Sequence, residues 1–287
     1  MPTIWIDGKW HDEASARVSV FDHGLLYGDG VFEGIRVYAG KVFKLREHLD
    51  RLWESAHAVM LDVPIPKAEL GRVIEEAVQR SGLEEAYIRP IVTRGVGDLG
   101  IDPRKCPKPT VIVIVDKINI WPPERYEEGL SVITAGTPIP HREALSPRVK
   151  SLNYLCHAMA KMEANVAGAD EALMLDASGH VAEGTGQNVF VVKHGVLRTP
   201  PLHAGILAGI TRGVVMELAR GAGHAVREEL LNRFDIYTAD EAFLTGSASE
   251  IAPIRSYDGR TIGSGRAGPV TKDLMVRFRA CARGGGC

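Results

Sequence analysis

Lys150 is one of two residues in the middle of the sequence whose type and surroundings suit chemistry on a carbonyl compound. It lies in Ser146-Pro-Arg-Val-Lys-Ser-Leu-Asn, just before an amphipathic helical pattern. A lysine amine attacks a carbonyl when desolvation or nearby positive potential keeps part of it neutral. Arg148 and the N-terminus of the following helix could supply that potential, although most lysines are ordinary surface residues.

Glu183 is the second candidate. It stands in Val181-Ala-Glu-Gly-Thr-Gly-Gln-Asn, beside a glycine-rich turn and ahead of a β-branched strand pattern. A carboxylate in such a place could be presented to a bound ring. It could equally be an ordinary turn residue, and the segment alone leaves both interpretations open.

Two glycine-flanked turns and one arginine suit an anion. Gly209-Ile210-Thr211 opens a predicted helix, whose free backbone N–H groups and dipole favour a phosphate. Gly246-Ser-Ala-Ser249 follows a predicted strand and offers hydroxyl and backbone donors. Arg51 lies on a predicted helix, where a solvated charge is the commoner role. Taken singly, an ordinary capped turn is the better interpretation of each glycine segment.

Several other chemistries find little support in the motifs. Gly263-Ser-Gly-Arg-Ala-Gly268 matches a dinucleotide fingerprint in letters, but too little sequence follows it for a βαβ unit, so we expect a turn. The ten histidines are scattered, and neither His-Glu-x-x-His nor Gly-x-Ser-x-Gly occurs. We therefore expect no metal site and no serine nucleophile of that kind.

The elements that must position these residues begin with a mixed set of strands and helices. Apolar alternation and helical spacing in the first part of the chain predict hairpins within Thr3–Trp10 and Val31–Phe43, helices over Leu45–Ala58 and Lys67–Ser81, and strands over Tyr87–Thr93 and Thr110–Val115. Strands and helices are segregated rather than strictly alternating, which predicts a mixed α/β (α+β) fold.

The pattern breaks at Trp121-Pro-Pro123, because two prolines continue neither a helix nor a central strand. We therefore predict a small N-terminal domain over residues 1–117, a linker over 118–130 and a larger C-terminal domain over 131–287. In the larger domain we predict strands at 130–134, 171–175, 188–192, 196–198 and 242–245. We also predict three helices: one with an apolar stripe at helical spacing over 152–166, and two spanning 211–220 and 269–280. We expect a frayed tail at the end.

Composition excludes several classes of protein. The chain has 287 residues, 45% of them hydrophobic, so it is neither disordered nor too short for a sizeable core. A formal net charge of −2 excludes a general polyanion binder. Membrane-length apolar runs, a signal-peptide pattern and Cys-x-x-Cys spacing are all lacking. We expect a cytoplasmic protein whose cysteines are reduced.

Taken together, the motifs resemble one family. Tyr-Gly-Asp-Gly-Val-Phe-Glu-Gly-Ile-Arg (27–36), Arg-Glu-His-Leu-Asp-Arg-Leu (46–52), Lys-Ser-Leu-Asn-Tyr-Leu (150–155) and Glu-Gly-Thr-Gly-Gln-Asn (183–188) are similar to the class IV pyridoxal-phosphate aminotransferases. Gly209-Ile-Thr-Arg and Thr245-Gly-Ser-Ala-Ser-Glu-Ile follow in the expected order. The resemblance spans nearly the whole chain and implies fold type IV, in which a larger C-terminal pseudo-barrel domain binds the cofactor.

The resemblance also implies how pyridoxal 5'-phosphate is held. Lys150 would form the internal aldimine and act as the catalytic base, Glu183 would contact the pyridine nitrogen, and Tyr154 the phenolic oxygen. Leu207 would pack behind the ring. The implied phosphate ligands are Arg51, Ile210, Thr211 and Ser247. A carboxylate at the ring nitrogen keeps the ring an electron sink, so the implied chemistry is consistent.

Within the family, the sequence is most similar to branched-chain amino acid aminotransferases. This implies ping-pong transamination between leucine, isoleucine or valine and 2-oxoglutarate. The implied substrate residues are Tyr27, Phe32, Gly34, Arg36, Tyr87, Arg89, Ser247 and Ala248. The loop Gly95–Ile101 resembles one that reaches a neighbouring subunit, which implies a homodimer or higher homo-oligomer; no nucleic acid or membrane partner is expected.

Two alternatives remain at this point. One keeps the cofactor but changes the reaction to a D-amino-acid or (R)-amine aminotransferase or an aminodeoxychorismate lyase, since Lys150-Ser-Leu-Asn is shared with the D-amino-acid enzymes. The other is a non-catalytic binding protein on the same scaffold. The presence of both Lys150 and Glu183 argues against a carrier, which has no need of an electron sink.

Overall fold

The computed structural model describes residues 1–118 and 120–284. It divides the chain into two compact units, one comprising Met1–Ile118 with Val149–Asn153, the other Asn119–Arg148 with Tyr154–Cys287. The segment that carries Lys150 therefore belongs to the first unit, although it follows part of the second unit in the chain. The predicted frayed tail lies largely outside the described residues, since Gly284 is the last of them.

The first unit is an antiparallel sheet with helices. Its order is β2-β1-β7-β6-β4-β5, with β3 pairing to β6. The strands are β1 Thr3–Ile6, β2 Lys9–His11, β3 Gly30–Phe32, β4 Ile35–Tyr38, β5 Lys41–Val42, β6 Ala86–Thr93 and β7 Thr110–Asp116; the helices are α1 His23–Tyr27, α2 Leu45–Ala58 and α3 Lys67–Ser81. The first hairpin and both long helices are confirmed. The second hairpin forms between β4 and β5 only, because β3 is a separate strand that pairs with β6.

Strand alternation gives this sheet two different faces. On one face Ile35 and Ile88 are completely buried and pack in a core with Leu52 of α2 and Ile74 of α3. Because successive side chains of a strand point to opposite faces, Arg36 and Tyr87 lie on the other one, where they are direct cross-strand partners. Burial of the apolar face sets the register of β4 and β6. That register in turn decides which side chains lie next to each other on the polar face.

The second unit is built on a nine-stranded mixed sheet of order β10-β9-β8-β15-β14-β11-β12-β13, with β16 pairing to β15. Its strands are β8 Leu130–Thr134, β9 Glu171–Leu175, β10 Val181–Gly184, β11 Asn188–Lys193, β12 Val196–Thr199, β13 Ala225–Glu228, β14 Glu241–Gly246, β15 Glu250–Tyr257 and β16 Arg260–Thr261. Its helices are α4 Pro123–Glu128, α5 Leu155–Val166, α6 Ile210–Gly221, α7 Arg233–Tyr237 and α8 Pro269–Gly284. The mixed α/β prediction is confirmed.

The predicted linker contains ordered structure. Pro123 begins α4 instead of preventing a helix, because proline fits the first turn, where its missing N–H has no intrahelical partner. Trp121 is only 9% exposed and packs in the second unit's core with Leu130. The residues chosen as a connection thus contribute a helix and a core side chain.

Helix α5 differs from its prediction in orientation. The predicted apolar stripe includes Leu155, Met159, Met162 and Val166, and these four side chains are 48–91% exposed. The face that is buried instead carries His157, Ala160 and Ala164. Small side chains allow the helix to pack close to the sheet, whereas the larger ones point away from it.

Among the described residues, the structure contains no helix with the length and apolar character needed to span a bilayer.

Candidate active site

The polar face of β4 and β6, together with Phe32 of the adjacent β3, gathers four of the predicted substrate residues. The guanidinium of Arg89 lies 4.6 Å from the ring centroid of Phe32 and 5.4 Å from that of Tyr87. Its Nη2 donates a hydrogen bond to the Tyr87 hydroxyl at 3.2 Å. Arg36 stands opposite Tyr87 in the register. These residues form an aromatic surface that carries two cations.

Gly34 is required by the close approach of Tyr87. A Cβ placed on Gly34 would lie 1.9 Å from the Tyr87 hydroxyl oxygen, far inside van der Waals contact. Any larger residue would displace the tyrosine, and with it the hydrogen bond from Arg89. The prediction that Gly34 belongs to the site thus has a steric basis, although the glycine contributes no functional group.

Lys150 is held against this surface by its backbone. Its carbonyl accepts from the N–H of Phe32 at 3.0 Å, and its own N–H donates to Ser55 Oγ at 3.1 Å. Its Nζ lies 4.6 Å from the centroid of the Phe32 ring. One aromatic ring therefore has the lysine amine and the Arg89 guanidinium at the same distance from its centre.

Arg51, predicted as a phosphate ligand, pairs with a buried carboxylate. Its Nε and Nη2 each donate to Glu33 at 2.7 Å, and His48 Nδ1 donates to the same carboxylate at 2.7 Å. Glu33 is fully buried, and the side chain of Arg51 is 10% exposed. The arginine is thereby fixed in one orientation, since a bidentate pair restrains position and plane together.

The protonation of this cluster follows from its burial and charge. Burial alone would raise the pKa of Glu33, but the charge and hydrogen bonds of Arg51, with the hydrogen bond of His48, hold it far below its ordinary value. Burial lowers the pKa of His48, and its bond to Glu33 only partly opposes this. At neutral pH the cluster thus contains an ionised carboxylate, a guanidinium and a neutral imidazole.

Tyr27 has a different setting from the other predicted substrate residues. Its hydroxyl donates to the carbonyl of Leu99 at 2.5 Å, and its ring packs edge-on against His23. His23 Nε2 contacts the carbonyl of Asp98 at 2.9 Å. The side chains of Tyr27 and His23, both on α1, therefore hold the loop that follows β6. This is the loop predicted to reach a neighbouring subunit.

In the second unit, Glu183 is nearly buried and is held from two directions. Its Oε2 accepts from the backbone N–H of Leu207 and from Asn188 Nδ2, both at 3.0 Å. The same Asn188 Nδ2 contacts the carbonyl of Leu207 at 3.0 Å. Asn188 and the Leu207 backbone thus fix the carboxylate that was predicted to face a ring nitrogen.

The predicted phosphate-binding turns are also in the second unit. Ile210 and Thr211 are the first residues of α6, after the extended Gly209. A Cβ on Gly209 would lie 2.0 Å from Asn188 Oδ1. The start of α6 therefore packs directly against Asn188, the residue that holds Glu183. Tyr154 immediately precedes α5 and stacks on His157 with a centroid distance of 4.4 Å.

The turn between β14 and β15 contains Ser247 and Ala248, both half-buried. Beside them, Thr245 Oγ1 and Ser249 Oγ are buried and lack a hydrogen-bond partner among the described residues. A buried hydroxyl without a partner costs free energy unless a ligand or water supplies one. This turn and the start of α6 are therefore suited to a polyanionic group such as a phosphate.

Sequence reasoning missed Glu33, His48 and Asn188 as supporting residues. A signal for Glu33 existed, because a carboxylate inside the run Val31-Phe-Glu-Gly-Ile35 must be paired if the run is buried. His48 and Asn188 lie within the quoted motifs. His48 pairs with Glu33, 15 residues away, whereas Asn188 pairs with Glu183 of its own motif. Described residues contain no cluster of metal-ligating side chains.

The donor set fits pyridoxal phosphate in chemical type. Lys150 is an amine held beside an aromatic ring, and Glu183 is a carboxylate restrained in one position. The two buried hydroxyls next to Ser247 can satisfy phosphate oxygens. Arg51 is a restrained cation. The roles of the individual residues stay predictions.

Comparison with known proteins identifies the family. The family model for amino-transferase class IV matches residues 30–257. A protein of Methanocaldococcus jannaschii is 52% identical over 276 residues, covering 96% of this chain and 95% of its own. A branched-chain-amino-acid aminotransferase of Pseudomonas aeruginosa is 40% identical, with 96% and 91% covered.

Solved structures give the same result. The branched-chain amino acid aminotransferase of Escherichia coli has a TM-score of 0.96 and 36% identity, covering 99% of this chain and 96% of its own. The branched-chain amino acid aminotransferase of T.th. with pyridoxamine 5'-phosphate has a TM-score of 0.94 and 37% identity, with 98% and 94% covered. It is also known with N-(5'-phosphopyridoxyl)-L-glutamate and with 4-methylvaleric acid. From the family match and these similarities, the chain belongs to the class IV aminotransferases.

Proposed function

We propose that the protein is a pyridoxal-phosphate-dependent aminotransferase that exchanges amino groups between branched-chain L-amino acids and 2-oxoglutarate. The observation that carries the proposal is the Phe32 ring, with the Lys150 amine and the Arg89 guanidinium each 4.6 Å from its centroid. An aromatic surface suits an apolar side chain, and an adjacent guanidinium suits a carboxylate. One site can thus accept both partners of the reaction.

The roles of the residues follow from their chemistry. Pyridoxal phosphate, when bound, supplies the electron sink that stabilises negative charge at the substrate Cα. Lys150 would anchor the cofactor; once the substrate amine has displaced it, the freed lysine amine would remove the proton from the substrate Cα. Glu183, fixed by Asn188, would hold a proton at the ring nitrogen. Leu207 would pack behind the ring, and Tyr154 would contact its phenolic oxygen.

The remaining predicted ligands divide between phosphate and substrate. The proposed phosphate ligands are Arg51, Ile210, Thr211 and Ser247, the isoleucine through its backbone N–H. The proposed substrate residues are Tyr27, Phe32, Gly34, Arg36, Tyr87, Arg89 and the backbone donors of Ser247 and Ala248. Support for these roles comes from the restrained geometry of Arg51 and from the unpartnered hydroxyls beside Ser247.

The substrate class is tested by half-reactions. The cofactor-loaded protein is mixed separately with L-leucine, D-alanine and an (R)-aryl amine, and the loss of visible absorbance is timed. We expect L-leucine to react fastest. Faster reaction with D-alanine or the aryl amine would replace the proposed substrate class by the alternative chemistry on the same fold.

The role of Lys150 is tested by substitution. Lys150→Ala should lose the visible absorbance of the bound cofactor and turnover together, because both depend on the amine. Lys41→Ala, at an exposed lysine of the same unit, serves as the matched control. Retention of both properties in Lys150→Ala would refute the assignment.

We further propose that the protein is a homodimer. Leu25 of α1 and Leu99 and Ile101 of the loop held by Tyr27 are 66–77% exposed. Exposed apolar side chains grouped in this way are typical of an interface. Light scattering after size exclusion should give twice the chain mass of 31.2 kDa, and Leu99→Asp should weaken association. A monomeric parent would exclude the dimer.

We also propose a cytoplasmic location. The free thiols of Cys106 and Cys156 support it, since a reducing compartment preserves thiols. Cell fractionation decides the question directly, and recovery outside the cytoplasmic fraction would exclude the proposal.

A further inference from the structure

The two arginines on the polar face of β4 and β6 are neutralised differently. Arg36 Nη2 lies 3.4 Å from Glu85 Oε2, with the arginine side chain 16% exposed and the glutamate 46% exposed. Arg89 forms no ion pair among the described residues, and its Nη2 donates to the neutral Tyr87 hydroxyl. Arg36 thus has a counter-ion within the protein, whereas Arg89 is placed to receive one from a ligand.

Glu85 reaches Arg36 because of strand register. Arg36 is the cross-strand partner of Tyr87, and Glu85 precedes Tyr87 by two residues. Glu85 is the residue immediately before β6, and its 3.4 Å contact places its carboxylate beside Arg36. The guanidinium is also 5.2 Å from the centroid of the Tyr38 ring. Arg36 is therefore held between an aromatic ring and a carboxylate at the edge of the face.

The ion pair has opposite consequences for the two substrates of the proposed reaction. A substrate with an apolar side chain covers Arg36 without neutralising it, and burying an unpaired cation is costly. Glu85 removes that cost. A dicarboxylate brings its own negative charge, which competes with Glu85 for the same guanidinium and is repelled by it. Because Glu85 is half-exposed, water can hydrate its carboxylate when a dicarboxylate displaces it from Arg36.

We propose that Glu85 sets the balance between acidic and apolar substrates, by acting as the counter-ion of Arg36 whenever an apolar side chain is bound. It is a specificity-determining residue that acts through Arg36 and does not itself need to touch substrate. The inference rests on the proposed function, because it assigns a selectivity to that same site.

Glu84 provides a matched control. Its side chain is exposed, and its backbone carbonyl accepts from Gly40 N–H at 2.9 Å, a bond that a side-chain substitution leaves in place. Glu84 and Glu85 both lie in the bend before β6, and the ion pair with Arg36 is formed by Glu85. Glu84→Gln and Glu85→Gln therefore change net charge equally at adjacent positions, and only the second removes the counter-ion of Arg36.

The experiment compares the holoenzymes of the parent and both variants with 2-oxoglutarate and with 4-methyl-2-oxopentanoate, the apolar 2-oxo acid. In Glu85→Gln we expect KM for 2-oxoglutarate to fall about two- to fivefold, the range of an exposed ion pair. KM for the apolar acid should stay constant or rise, and kcat should change little. In 0.5 M salt the difference should shrink, because exposed charges are screened.

A binding measurement makes the test independent of turnover. Glutarate and 4-methylvalerate are titrated into each holoenzyme, and the ratio of their dissociation constants is compared. Glu85→Gln should shift the ratio toward glutarate, whereas Glu84→Gln should not. The proposal is overturned if both variants give the same ratio, or if Glu85→Gln alters all ligands equally, as a merely structural residue would. Failure of the proposed function appears separately, as a parent protein that does not transaminate L-leucine with 2-oxoglutarate.

Discussion

The ion pair of Glu33 and Arg51 leads to a stability prediction for the first unit. Glu33→Gln would leave the guanidinium, whose side chain is 10% exposed, opposite a neutral amide. Breaking a buried ion pair from one side costs roughly 3–5 kcal/mol. Because the amide oxygen still accepts a hydrogen bond, we expect the lower end, a loss of about 3 kcal/mol in the free energy of unfolding.

Urea unfolding of the apo-protein at pH 7 measures this loss. Tryptophan fluorescence reports mainly on the affected unit, which contains Trp5, Trp10 and Trp53. With a urea m-value of about 2–3 kcal/mol/M, the midpoint should fall by about 1–1.5 M. Cofactor is omitted because a ligand that binds the native state adds its own stabilisation.

The pH dependence gives an independent check on the same variant. Burial alone would raise the pKa of Glu33, but the pairing with Arg51 and His48 lowers it below its ordinary value of 4.5. A lowered folded-state pKa means that the stabilisation is complete above that ordinary value and is lost as the pH falls below it. The difference between parent and Glu33→Gln should therefore shrink under acid conditions.

A double variant separates ion pairing from packing. Glu33→Gln with Arg51→Met removes both charges, and replacing a whole buried pair by uncharged groups is often close to neutral. We expect the double variant to recover most of the lost stability. The reasoning would be refuted by a single variant within about 1 kcal/mol of the parent, or by a double variant less stable than the single one.

Three further substitutions test other parts of the site. Gly34→Ala, by displacing Tyr87, should lower kcat/KM for L-leucine about a hundredfold, the usual effect of an ångström-scale misplacement; a change below threefold would contradict this. Asn188→Leu removes one of the two hydrogen-bond donors to Glu183 and should weaken cofactor binding about tenfold in a fluorescence titration; an unchanged dissociation constant would count against it. His48→Gln should reduce the stability lost between pH 7.5 and 5.5, because burial lowers the pKa of His48 and only the unfolded chain is protonated near 6.5. Equal pH slopes in parent and variant would exclude that role.

Local patterns predicted the two long helices of the first unit well, but not the short α1. Both bounds of Leu45–Ala58 and Lys67–Ser81 are confirmed, because their apolar spacing is regular and the second helix is followed by Gly82 with φ of 64°. The apolar stripe of α5 was also correctly found in sequence. Its exposure was not predictable, since periodicity shows which side of a helix is apolar but not what covers that side.

The candidate site shows the same division between local and tertiary information. Lys150 and Glu183 were selected from their own segments, where a lysine and a carboxylate stand beside a helix start and a glycine-rich turn. The partner of Arg51 was missed, because Glu33 and Arg51 are joined only when α2 packs on the sheet. The two residues are 18 positions apart and pair only through that packing. The sequence around either residue therefore does not predict the pair.

The return of Val149–Asn153 to the first unit affects how the protein can be synthesised and dissected. Leu152 donates to the Gly30 carbonyl at 2.9 Å and Phe32 to that of Lys150, so this late segment covers an edge of β3. A fragment ending at residue 118 would expose that edge, and an open strand edge is a template for aggregation. On the ribosome, the N-terminal unit cannot be completed until some thirty residues beyond it have emerged. Separate expression of the first unit should therefore require residues 149–153 as an added peptide or a tethered extension.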